Sequence, residues 1–144
     1  MFLGEYQHAL DDKGRVVMPR RFRDTLHPGC VITKGHERCL YVYTEERWSK
    51  EVETVTNVPA SRGKARGYSR SLFASASDAG LDKQGRIGVP EALRKYASLD
   101  KDVTVVGVGD HVEIWSTPVW EQVSAAADEL YADIDEALSA GGEI

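Results

Sequence analysis

The chain has 144 residues, 42% of them hydrophobic and 28% charged, and a formal net charge of -5 at pH 7. It is too apolar and too aromatic to be disordered, and its length suits one domain or two small ones. No apolar run approaches the roughly 20 residues of a membrane span, and the start MFLGEYQHAL lacks a signal peptide's apolar block. Two cysteines make no disulfide framework, so a soluble, cytosolic protein is expected.

The charge is unevenly spread. Residues 1–72 hold 13 Lys and Arg against 9 Asp and Glu, whereas residues 73–144 hold 5 against 14. Lys13, Arg15, Arg20, Arg21 and Arg23 fall within eleven residues, and Arg62, Lys64, Arg66 and Arg70 close the first half. A polyanion responds to local positive potential and not to the total, so the negative sum leaves a nucleic-acid partner open.

In chain order, Leu10-Asp11-Asp12-Lys13-Gly14-Arg15-Val16-Val17-Met18-Pro19 reads as a tight hairpin turn at Asp12-Lys13-Gly14, then a strand. Pro19 is placed to open a short helix over about 20–26, which ends at His27-Pro28-Gly29. A second hairpin is predicted from Val31–Lys34 and Cys39–Tyr43, turning near Gly35-His36-Glu37. Thr44 caps a helix over Glu45–Val55. Ala60–Ser71 reads as a weak helix or an ordered linker, with Arg62, Arg66 and Arg70 four apart.

The pattern then returns. Leu81-Asp82-Lys83-Gln84-Gly85-Arg86-Ile87-Gly88-Val89-Pro90 repeats the first frame at a shift of 71. Phe22-Arg23 aligns with Leu93-Arg94; with one inserted residue, Gly35 aligns with Gly107, Val42-Tyr43 with Ile114-Trp115, and Trp48 with Trp120. Two copies are too few for a solenoid, so two halves packed as a pseudo-dimer are expected. Thr117-Pro118 opens the last helix as cap and first residue. Its stripe Trp120, Val123, Ala127, Leu130, Ile134 and Leu138 serves either internal packing or a subunit seam.

The repeated Asp-x-x-x-Arg sets a carboxylate and a guanidinium on adjacent strands at the mouth of a turn. Either the pair simply steadies the hairpin, for which an exposed pair contributes only about 0–1 kcal/mol, or the carboxylate orients a guanidinium toward an anion. Arginine's planar donor set matches phosphate oxygens or the O6/N7 edge of guanine. Five cations within eleven residues favour the anion.

The duplicated frame, with Met1-Phe2-Leu3-Gly4, Arg70-Ser71-Leu72-Phe73-Ala74, Leu93-Arg94 and Glu113-Ile114-Trp115 before Trp120, resembles the MraZ family over about residues 1–125. The resemblance implies an α+β fold of two tandem hairpin and short-helix half-domains, an AbrB-like swapped-hairpin barrel, plus a C-terminal helix. The parts would be half-domains at 1–58 and 74–124, a basic connector at 59–73 and an acidic helical extension at 125–144. It also implies a bacterial transcriptional regulator of the division and cell-wall gene cluster, cytoplasmic and nucleoid-associated. Such a protein would form a ring-shaped homo-oligomer and bind direct repeats in double-stranded promoter DNA, most plainly as a repressor of its own cluster. The DNA-contacting residues would be Arg15 and Arg86, oriented by Asp11 and Asp82. Lys13 and Gln84 occupy the turn tips with Lys83 beside them, and Arg23 and Arg94 sit on the short helices; Gln84 carries no charge, so the second turn should contribute less. A ring presents one patch repeatedly in the same direction, and several weak contacts then add by multivalency.

Three other readings compete. His27-x-x-Cys30 and His36-x-x-Cys39 each look like half a zinc site, but a hairpin separates the cysteines by more than about 10 Å, too far for one ion. No metal or other cofactor is expected. An enzyme acting on a small-molecule substrate would need a phosphate loop, nucleophile elbow or triad, and none is present; carboxylates beside arginines also make poor general acids. An antitoxin-like protein of the same fold, whose main partner is another protein, is the remaining alternative.

Overall fold

The computed structural model describes residues 1–133. The chain runs β1 (Phe2–Ala9), β2 (Arg15–Val17), α1 (Arg20–Leu26), β3 (Cys30–Lys34), β4 (Leu40–Thr44), α2 (Glu45–Thr56) and α3 (Gly63–Ser75). It continues through β5 (Ser77–Ala79), β6 (Arg86–Gly88), α4 (Glu91–Tyr96), β7 (Asp102–Gly109), β8 (Val112–Ser116) and α5 (Thr117–Ala132). The fold is α+β, with a six-stranded antiparallel sheet in the order β1-β7-β8-β4-β3-β5 and a separate two-stranded ribbon, β2-β6.

That order corrects one expectation. The strands flanking the Asp11–Arg15 turn do not pair with each other. β1 pairs with β7 of the second copy from Phe2↔Gly109 to Ala9↔Asp102, and β2 pairs with β6. Reciprocally, β5 of the second copy pairs with β3 of the first, and β4 and β8 join the halves at the middle. The physical reason is the core: Val16 and Ile87 face each other fully buried, which a ribbon confined to one copy could not achieve.

The core takes equivalent residues from both copies. Met18, Phe22 and Leu26 meet Val89, Leu93 and Ala97, all nearly inaccessible. Phe22 and Leu26 stand four apart on α1, and Phe22 packs edge-on against Phe2 at 5.2 Å and Tyr6 at 5.4 Å. Pro19 and Pro90 each immediately precede a short helix, where a missing N–H costs nothing.

Two helices differ from expectation. The Ala60–Ser71 stretch becomes α3, running to Ser75 despite two glycines, because it is held by tertiary contacts. Leu72 is buried, Thr33 Oγ1 donates to the Leu72 carbonyl at 3.2 Å, and Lys34 Nζ donates to Ser71 Oγ at 3.0 Å. At the start of α5 the cap position is Ser116, not Thr117. Thr117 Oγ1 is drawn instead to the sheet, 2.9 Å from Thr104 Oγ1. Along the α5 stripe, Trp120 packs on Trp115 at 5.6 Å, yet no residue of the helix is buried and Leu130 is 43% exposed. Ile134 and Leu138 lie outside the described residues, as does most of the proposed 125–144 extension.

Candidate nucleic-acid interface

Each Asp-x-x-x-Arg turn is built around its carboxylate. Asp11 Oδ1 accepts the backbone N–H groups of Lys13 and Arg15, both at 2.9 Å, and Asp11 Oδ2 accepts Arg15 Nε at 2.7 Å. The second turn repeats these distances: Asp82 Oδ1 accepts from the Gln84 and Arg86 backbones at 2.9 Å, and Asp82 Oδ2 accepts Arg86 Nε at 2.7 Å. An aspartate bonded to the backbone two residues on is an Asx turn, so Asp both shapes the loop and aims the arginine. The Arg15 backbone N–H, followed by its guanidinium and the Lys13 N–H, holds the Asp11 carboxyl below the usual carboxylate range; Arg86 and Gln84 do the same for Asp82. Both carboxylates therefore stay ionised.

The glycines complete the turns. Gly14 and Gly85 have φ of +74° and +76°, a left-handed conformation that glycine adopts without strain. A Cβ on Gly14 would collide with the Arg94 guanidinium, and one on Gly85 with that of Arg23. Each short helix thus sends an arginine beneath the turn of the other copy. Arg23 Nε donates to the Met18 carbonyl at 2.9 Å, Arg94 Nη1 donates to that of Val89, and both residues are half-buried. Both guanidinium groups therefore lie against the turn of the opposite copy.

The β2–β6 register brings the two sites together. Val16 pairs with Ile87 on the buried face, so Arg15, opposite Gly88, and Arg86, opposite Val17, both occupy the outer face. They are diagonal neighbours, about 7–8 Å apart between strands. Arg86 Nη1 lies 3.9 Å from Asp11 Oδ2, which links the two turns electrostatically. The Arg15 and Arg86 side chains remain 30% and 26% exposed. Nε of each arginine is tied to its own aspartate, and part of each side chain stays in contact with solvent. Lys13, Lys83 and Gln84 are exposed on the turn tips, and Arg20 and Arg21 are exposed at the start of α1.

Other candidate groups lie apart. Cys30 sits opposite Thr44 at the open end of the β3–β4 hairpin and Cys39 lies at its turn, so the cysteines are at opposite ends, and burial pushes the Cys30 thiol up to about 11. Among the described residues no cluster of three His, Cys, Asp or Glu is placed to hold a metal ion.

Sequence reasoning missed a polar cluster at the β7–β8 turn. His111 Nδ1 lies 2.9 Å from Asp110 Oδ1, and Nε2 lies 3.0 Å from Glu113 Oε2. Arg47 Nε of α2 donates to Asp110 Oδ2 at 2.8 Å, and Trp115 Nε1 donates to Glu113 Oε1 at 2.9 Å. The His-x-Glu spacing on one strand face was the available signal. The ring packs against Tyr41 of the other copy at 4.7 Å, and that contact is invisible until the copies interleave.

Comparison with known proteins gives the chain its relatives. A family described as "MraZ protein, putative antitoxin-like" matches residues 1–71 and again residues 72–139. A protein of Salinispora tropica named transcriptional regulator MraZ is 46% identical over 98% of this chain and 99% of its own length. Proteins of the same name from Heliobacterium modesticaldum and Moorella thermoacetica are 45% and 44% identical, each over 96% of both chains.

Proposed function

This chain belongs to the MraZ family, and from that membership we propose that it is a transcriptional regulator, not an enzyme, that holds double-stranded DNA through the β2–β6 ribbon. The observation that carries the reading is the common outward face of Arg15 and Arg86, each clamped at Nε by its own aspartate. A two-stranded ribbon fits a major groove, and a guanidinium fixed at Nε offers its terminal nitrogens to guanine O6/N7 or to a phosphate. Pre-orientation lowers the entropy lost on contact. Lys13 and Lys83 add charge at the tips with Gln84 beside them, and Arg23 and Arg94 hold the turns from below.

The finer reading follows the family resemblance. The fold is of the AbrB-like swapped-hairpin kind, with half-domains at 1–58 and 74–124 joined by 59–73 and followed by 125–144. The exchange of β1, β2, β5 and β6 between copies supports it. The target is a set of direct repeats upstream of the division and cell-wall gene cluster, bound by a ring of identical chains acting as a repressor in the cytoplasm at the nucleoid. The unpaired α5 stripe supports self-association.

The test is a gel-shift on the chain's own upstream DNA with wild type and Arg15→Ala. Wild type should retard it, Arg15→Ala should lose specific retardation with an unchanged circular-dichroism spectrum, and wild-type affinity should fall steeply between about 50 and 200 mM salt. Equal retardation by both proteins, or a flat salt response, overturns the reading; the second outcome points to a protein partner.

A further inference from the structure

Two helical surfaces of this chain leave apolar side chains exposed and oppose each other in charge. The first is α5. Trp120 stands where Trp48 stands in the first copy. Trp48 is flanked by Tyr43 at 5.9 Å and by Phe73 of α3 at 6.1 Å. Trp120 has Trp115 in the place of Tyr43, but among the described residues no second ring packs on it. Beyond it, Ala127 and Leu130 are exposed and Val123 is half-buried, so the apolar line of α5 is left largely uncovered. Glu121, Asp128 and Glu129 on the helix, and Asp133 at its end, are exposed and make no ion pair among the described residues.

The second surface is the groove of about 390 Å³ between α2 and α3, floored by Val55, Val58, Ala65 and Tyr68, with Lys64 and Glu51 at its edges. It continues into a recess of about 280 Å³ bordered by Arg66 and Arg70. Val58 and Tyr68 are 41% and 44% exposed, which is a large apolar floor to leave in water. Residues 54–77 contain four cations and no acid, whereas residues 102–144 contain ten acids and no Lys or Arg. None of Arg62, Lys64, Arg66 and Arg70 is ion-paired among the described residues.

We propose that α5 of one copy lies in the α2–α3 groove of a second copy, its apolar line on Val58 and Tyr68 and its acids against Lys64, Arg66 and Arg70. The inference rests on the self-association proposed above and names the surfaces that carry it. Within one chain α5 packs on β7 and β8 and α3 on β3, on either side of the sheet's centre. The two patches are different surfaces of the chain; where the contact is not returned within a pair, it runs head-to-tail and propagates into a ring or a filament.

The experiment is light scattering on size-exclusion chromatography of the full chain at about 100 mM salt, where opposite charges at an interface still attract. Arg66→Glu/Arg70→Glu and Asp128→Arg/Glu129→Arg should each weaken association at least about tenfold, through like-charge juxtaposition. The chain carrying all four substitutions should reassemble, because each reversed helix then meets a reversed groove. Circular dichroism should stay unchanged, since all four side chains are exposed. Leu130→Lys, which adds charge to the apolar line alone, should also lower the assembled mass. Wild-type mass in the two paired variants, or no recovery in the fourfold variant, overturns the proposal while leaving self-association standing. A wild type that is monomeric at every concentration overturns both.

Discussion

An aspartate that accepts three N–H groups has little freedom left, and neither has the arginine it holds. At Asp11 and Asp82 the same carboxylate makes the loop and aims the guanidinium. This much was legible in the sequence, because a spacing of four with glycine just before the arginine satisfies both demands locally. His111 was not legible in that way, since its environment comes from three segments. Neutral imidazole has one N–H, yet both ring nitrogens face carboxylates, so the geometry calls for imidazolium. Burial opposes that charge, but Glu113 and Asp110 raise the pKa above its ordinary 6.5. Tyr41 and Tyr43 of β4 flank the ring, and Arg47 of α2 reaches it through Asp110. A raised folded-state value means that the clamp's stability is complete below about pH 6.5 and is lost as pH rises through the folded value. The difference in melting temperature between wild type and His111→Gln should therefore shrink from about pH 6 to 8. A difference constant over that range removes the clamp from the account.

Among the elements, the short helices and the β3–β4 hairpin were readable because proline, glycine and apolar spacing mark their ends. The helix over Glu45–Val55 appears within one residue, with Thr44 Oγ1 accepting the Arg47 N–H at 3.1 Å. The strand before the first turn is expected to pair across that turn; β1 pairs instead with β7, about 100 residues away, and only Phe2 on it is fully covered. α3 is the converse case: two glycines argue against a helix, and Leu72 with its hydrogen bonds to β3 overrides them. Phe22 ties α1 to β1, and through β1 to the second copy. Phe22→Ala should cost about 3–5 kcal/mol. The loss should appear as one shifted transition in denaturant, seen identically by tryptophan emission and by circular dichroism. Separate transitions for the two probes would show that the copies fold independently.

At the scale of the molecule, the internal repeat made two interlocked halves foreseeable, but not which strands they would trade. Local propensity sees each turn and misses its partner, because the pairing β2 to β6 spans about 70 residues of intervening chain. The exchange has a direct test. A protease site introduced between Pro59 and Arg62, an exposed stretch outside the helices, should be cut without separating the halves. The cut protein should elute as one species in buffer and as two in denaturant. Dissociation on cutting in buffer would contradict the interleaved sheet.

The fusion of the two copies also changes what dilution can do. Were β2 and β6 on separate chains, the ribbon that carries Arg15 and Arg86 would come apart at low abundance, its integrity governed by mass action. Joined through α3, the partners meet at a fixed effective concentration, so the paired guanidinium platform stays whole in a cell holding only a few molecules of the protein.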